Sequence, residues 1–163
     1  MKPNKSQTKT LTTDALLTTL LILTGMIKLP SFVPGAEFQL SAPLAILIVT
    51  LLGFKRYLGI GICSSCIQLM LGTHTILNVT IAMIFRIVAG TIVTLAPHKK
   101  TGILLAGPFG TIAARIVLAQ ILHIPALPLL GAAIPGMIFT VACVSLFLPI
   151  LKKITGTTFL PKE

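Results

Sequence analysis

Apolar residues in this chain fall into six stretches that are separated by short polar or basic segments. The stretches cover residues 11–29, 38–54, 57–71, 76–96, 101–122 and 129–151. A helix needs about 20 apolar residues to cross a bilayer, and most of the stretches approach that length. We therefore predict an all-α membrane protein, a compact bundle of six transmembrane helices forming one membrane domain over residues 1–163. The second and third stretches are short, and they either span fully or form a re-entrant pair.

The basic residues lie on alternate sides of these stretches. Ten of the 13 Lys and Arg residues precede the first stretch, follow the second and fourth, or follow the sixth, whereas the other connecting loops contain only Lys28. By the positive-inside rule, both the N- and the C-terminus are predicted to be cytoplasmic. The net charge of +10 is spread over small clusters at helix ends, which favour anionic lipid and do not indicate a nucleic-acid partner.

Composition agrees with this placement, since 55% of the residues are hydrophobic and the mean hydropathy is +1.01. So apolar a chain belongs in the lipid bilayer. The sequence contains no Walker A, G-x-S-x-G or H-E-x-x-H motif, so we expect no enzymatic activity and no catalytic residues. Its three histidines do not share a spacing that suits a metal, and we expect neither a metal site nor a cofactor.

Arg86 is the residue that most directly suggests function, because it lies about ten residues into the fourth stretch. An Arg at the centre of a bilayer costs roughly 2.5–3.5 kcal/mol by insertion scales, so its side chain should face the bundle interior or a hydrated cavity. Asn78 lies on the same helix face at a spacing of eight residues. Arg115 lies in the outer half of the fifth stretch on the predicted topology.

Most other polar groups within or beside the bundle are also predicted to lie in its outer half, where they would form a pocket open to the exterior. The candidate substrate-binding residues are Arg86, Arg115, Glu37, Gln39, Gln68, His74, Asn78 and Gln120. Two guanidinium groups with one carboxylate favour a small anion or zwitterion with a carboxylate or phosphate group. The structural alternative is that Glu37 neutralises one of the two arginines.

Two further patterns leave alternatives open. Cys63 and Cys66 have the spacing of a redox motif, which would suit a membrane thiol oxidoreductase, but burial as small side chains is the favoured interpretation. Ala15 and Thr19 lie four residues apart in the first stretch and could contact another membrane protein or pack within the bundle. A non-catalytic membrane scaffold subunit is the third possibility.

Three segments together carry a family resemblance: residues 29–43 (LPSFVPGAEFQLSAP), residues 53–57 (GFKRY) and residues 71–77 (LGTHTIL), which lead into the fourth stretch. With the six predicted helices, they resemble the substrate-binding S components of energy-coupling-factor (ECF) transporters.

The resemblance implies that a vitamin-like micronutrient is bound from outside, with the first loop covering the pocket. It also implies as partners a transmembrane coupling subunit and two ATPase subunits, which would drive release of the solute inward. Ala15 and Thr19 would then be partner-binding residues, with Thr19 where the family usually has Ala.

Overall fold

The computed structural model describes residues 5–30, 37–96 and 100–155, with side chains described in these ranges except at 5, 6, 28–30, 37–39, 152, 154 and 155. Six helices make up almost all of this part of the chain. They are α1 (Lys5–Met26), α2 (Ser41–Leu52), α3 (Phe54–Met70), α4 (Ile76–Leu95), α5 (Lys100–Leu122) and α6 (Ala126–Thr155). The predicted all-α fold is confirmed.

A short antiparallel strand pair lies between α1 and α2. Its strands are β1 (Lys28–Pro30) and β2 (Glu37–Gln39), with Leu29 opposite Phe38. The sequence analysis assigned residues 28–29 to the first helix and 38–40 to the second, so the structure corrects both boundaries. Pro30 accounts for Leu29, because a proline disfavours the helical conformation of the residue before it.

The second helix, α2, occupies the centre of the bundle. Seven of its 12 residues are buried, and Ile46 and Val49 are at most 1% exposed. A helix that is apolar all round suits such a position. Its 12 residues extend about 18 Å, less than the roughly 30 Å of the hydrocarbon core, and the extended strand β2 precedes it. Gly53, with φ of 80°, is the one residue between α2 and α3.

Three helices in the described part of the chain are long and apolar enough to cross a membrane by length and composition: α4, α5 and residues 126–151 of α6. They pack in sequence, α4 on α5 and α5 on α6. Small residues allow the close approach: a Cβ atom at Gly110 would lie 2.9 Å from Cδ2 of Phe85, and one at Gly107 would lie 2.6 Å from Cγ2 of Thr140. The small residues of α5 therefore serve packing within the bundle.

The third helix, α3, bridges α1 and α4. At its first turn, Arg56 Nη2 lies 2.5 Å from Oδ1 of Asp14 in α1, and both side chains are partly exposed. This ion pair ties α1 to the end of the bundle at which α2 meets α3. Which side of the membrane this end faces stays a prediction of the positive-inside rule.

Candidate solute-binding cavity

A cavity of about 440 Å³ lies between α1, α2, α4, α5 and α6. This volume is in the range of about 300–1,000 Å³ that is usual for small-molecule sites. Polar side chains in its wall come from the α3–α4 loop and four of these helices. They are Ser41, His74, Asn78, Arg86, Thr111, Arg115 and Thr140.

The cavity lies in one half of the bundle. Its lining comes from the start of α2, α4 and α6 and from the end of α1 and α5, which all meet at the same end. The basic residues Lys9, Arg56, Lys100 and Lys153 belong to the opposite end of their helices. The cavity therefore occupies the half of the bundle that the positive-inside rule predicts to face outside.

Arg86 projects from the middle of α4, about 15 Å along the helix, and is only 7% exposed. Its Nη1 donates to Oγ of Ser65 at 2.6 Å, and its Nη2 donates to Oγ of Ser64 at 3.2 Å. Nη1 also approaches Sδ of Met83 at 3.6 Å. All of these partners are neutral, so the positive charge of Arg86 is solvated by the protein without being neutralised by them.

Arg115 brings a second guanidinium to the same cavity from α5, where it is half-buried. The described residues that line the cavity include no carboxylate. Two positive groups with low-dielectric walls attract anions.

His74 and Asn78 lie near the start of α4, which Thr75 caps by accepting a hydrogen bond from the backbone N–H of Asn78 at 3.3 Å. His74 is half-buried and Asn78 is exposed, and both line the cavity. An exposed residue in the wall of a cavity belongs to its rim. These two side chains can therefore contact a solute as it enters.

Of the other four candidate residues, two lie away from the cavity and two have side chains outside the described part of the chain. Gln68 is buried between α3 and α1, where its Nε2 donates to the Ser64 carbonyl at 3.2 Å and its Oε1 packs against Gly25. Gln120 is exposed and does not line the cavity. Glu37 and Gln39 belong to β2, and their side chains lie outside the described residues.

The two serines that bind Arg86 were not among the predicted site residues, because Ser65 was interpreted as a small packing residue four positions after Gly61 and both serines as spacers between Cys63 and Cys66. The structure reverses the roles: Ser64 and Ser65 are buried, whereas both cysteines are free and exposed, contrary to the expected burial. The available signal was periodicity, since Gly61, Ser64, Ser65 and Gln68 repeat at helical spacing and mark one face of α3. The cysteines lie on the opposite face.

Ala15 and Thr19 are exposed on α1, away from the bundle interior. The Thr19 hydroxyl donates to the Ala15 carbonyl at 3.1 Å, so its polar group is satisfied within the helix. Large apolar side chains, Leu16, Leu20 and Leu23, are exposed on the same helix. This side of α1 is therefore apolar and open to lipid or to another membrane protein.

No family model matches the chain. In structure, the chain is similar to the S component for biotin from an ECF-type ABC transporter, whose crystal structure is known at 2.1 Å. The TM-score is 0.73, the sequences are 17% identical, and the similarity covers 98% of this chain and 97% of the other. The fold is thus that of an ECF S component, a multi-pass protein of the cell membrane, and the resemblance inferred from the sequence is confirmed.

In sequence, the chain is 46% identical over 156 residues to protein BioX of Lysinibacillus sphaericus. The aligned residues cover 93% of this chain and 94% of the relative. The chain belongs to the family of protein BioX.

Proposed function

We propose that this chain is the solute-binding subunit of an ECF-type importer and that it binds a small vitamin with a carboxylate group, for which biotin is the first candidate. The observation that carries the proposal is Arg86, a buried cation with neutral hydrogen-bond partners in the wall of a vitamin-sized cavity. The likeness to an S component for biotin supports the choice of solute.

The solute would bind with its acid group at the arginines and its hydrocarbon part between apolar walls. A planar guanidinium matches a carboxylate with two parallel hydrogen bonds, which gives direction as well as affinity. Phe85, Leu118 and Phe139 supply the apolar wall. His74 and Asn78 would hold the polar end of the solute at the rim, and Glu37 and Gln39 from the first loop remain predicted contacts.

Uptake would require partners, because the sequence has no ATP-binding motif of its own. A transmembrane coupling subunit would bind the exposed side of α1 that includes Ala15 and Thr19, and two ATPase subunits would drive inward release. The exposed apolar side chains of α1 support this placement. The role of the chain itself is binding and not catalysis.

The other two functions considered gain no support from the structure. Cys63 and Cys66 are exposed on α3 and do not belong to the lining of the described cavity, so that cavity does not bring a solute to their thiols. A pure scaffold does not account for a cavity of this size with two arginines in its wall.

Equilibrium binding to the purified chain in lipid nanodiscs tests the proposal. We expect biotin to bind with one-to-one stoichiometry in isothermal titration calorimetry, and we expect preparations from the native membrane to contain co-purifying ATPase subunits. A folded chain that binds neither biotin nor any other carboxylate vitamin would refute the proposed function.

A further inference from the structure

The third helix, α3, contacts the cavity indirectly, because it binds Arg86 of α4, which lines the cavity. None of the described residues that line the cavity belongs to α3. Yet α3 supplies both hydroxyl groups that accept hydrogen bonds from Arg86. Any influence of these hydroxyls on a bound solute must therefore pass through the guanidinium group of Arg86.

The hydroxyl of Ser64 is held in one orientation. It donates its proton to the Gly61 carbonyl at 2.9 Å, so toward Nη2 of Arg86 it can act only as an acceptor. Ser64 is 0% exposed and Ser65 is 2% exposed, so water does not compete for these oxygens. Two buried acceptors on successive residues, of which Ser64 is held in orientation by Gly61, bind the two Nη atoms of Arg86 and fix the plane of the guanidinium.

Gly61 completes this arrangement one turn earlier on α3. A Cβ atom at this position would lie 2.6 Å from Cδ and 2.7 Å from Nε of Arg86, closer than real side chains come. Glycine thus leaves the space in which the stem of Arg86 runs along α3. Gly61, Ser64 and Ser65 together form what we name the Arg86 cradle.

We propose that the Arg86 cradle positions the guanidinium so that its remaining N–H groups face the cavity, and that this orientation sets the preference of the site for a carboxylate over its neutral amide. This inference rests on the proposed function. The three residues are positioning residues, since they act through Arg86.

The reasoning predicts a particular change when the cradle hydroxyls are removed. The charge of Arg86 remains, but its orientation is no longer fixed, and a bidentate contact depends on orientation more than a single hydrogen bond does. Affinity for the acid should fall about tenfold or more, because hydrogen bonds to charged groups are the strong ones. Affinity for the amide should change little, because the amide carries no charge and has a single acceptor oxygen, so it cannot form the bidentate ion pair.

The test compares binding of biotin and biotinamide to the wild-type chain and to the double variant Ser64→Ala/Ser65→Ala in lipid nanodiscs. Ser145→Ala is the matched control, because its exposed hydroxyl only binds the carbonyl of Ala142 in its own helix. We expect the ratio of acid to amide affinity to fall about tenfold in the double variant and to stay unchanged in the control.

An unchanged ratio in the double variant, or equal losses for both ligands, would overturn the inference while leaving the proposed function intact. A wild-type chain that binds neither ligand would instead refute the proposed function, and this inference with it. If the double variant does not fold, Ser65→Ala alone decides, because it removes the shorter of the two hydrogen bonds.

Discussion

Replacing Arg86 by glutamine removes the positive charge and the forked donor while keeping a polar, neutral side chain at this position. In the structure this residue combines 7% exposure, two hydroxyl partners and a place in the cavity wall. We expect Arg86→Gln to abolish or greatly weaken solute binding with little effect on folding.

The magnitude follows from the contacts. A hydrogen bond to a charged group contributes about 1.5–3 kcal/mol, so a bidentate pair with the solute carboxylate contributes about 3–6 kcal/mol, or roughly 10²–10⁴-fold in Kd. The unliganded protein should respond differently. An arginine at the membrane centre costs roughly 2.5–3.5 kcal/mol, so its removal offsets the loss of its hydrogen bonds to Ser64 and Ser65.

Isothermal titration calorimetry with biotin in lipid nanodiscs measures the first effect, and thermal unfolding of the unliganded protein measures the second. Arg56→Gln is the matched control, because it makes the same chemical change at the opposite end of the bundle, where Arg56 pairs with Asp14. If Arg86→Gln bound biotin within about threefold of the wild type, the assignment of this guanidinium to the solute would be wrong.

Three further predictions concern the exposed side of α1, the end of α5 and a surface ion pair. Thr19→Trp on the exposed side of α1 should retain biotin binding but lose ATP-dependent uptake, whereas the exposed control Thr91→Trp on α4 should retain both. Normal uptake by the Thr19 variant would show that this side of α1 does not bind the coupling subunit. His123, directly after α5, has a φ of 54°, a left-handed conformation that glycine adopts more easily than alanine. His123→Gly should therefore be more stable than His123→Ala by about 1 kcal/mol in thermal unfolding, and equal stabilities would contradict the left-handed conformation. The Asp14–Arg56 pair is partly exposed, so a double-mutant cycle should give a coupling free energy below about 1 kcal/mol that decreases with salt. A larger coupling that does not depend on salt would contradict the described exposure.

The number and order of the helices could be predicted because each contains an apolar run bounded by basic residues, prolines or glycines. The strand pair could not, since Lys28–Pro30 and Glu37–Gln39 are too short for an alternating pattern, and only their pairing defines them as strands. The central position of α2 could not be predicted either, because an apolar run has the same sequence pattern whether it faces lipid or protein.

The site was partly predictable for a physical reason. A charge at mid-depth must be solvated, so the sequence alone placed Arg86 in the interior, and the cavity contains it. A neutral amide is cheaper to bury and can serve packing, so the same reasoning could not tell that Gln68 lies between α1 and α3. Periodicity places Ser64 and Ser65 on one face of α3, but their contact with Arg86 depends on the rotation of α3 against α4, which the local sequence does not specify.

A structure of the chain with bound solute tests the central claim most directly. The account predicts biotin in the cavity between α1, α2, α4, α5 and α6, with its carboxylate oxygens about 2.7–3.2 Å from the Nη or Nε atoms of Arg86 and with Ser64 and Ser65 still holding the guanidinium. Biotin bound elsewhere, or bound in the cavity with its carboxylate away from both Arg86 and Arg115, would contradict it.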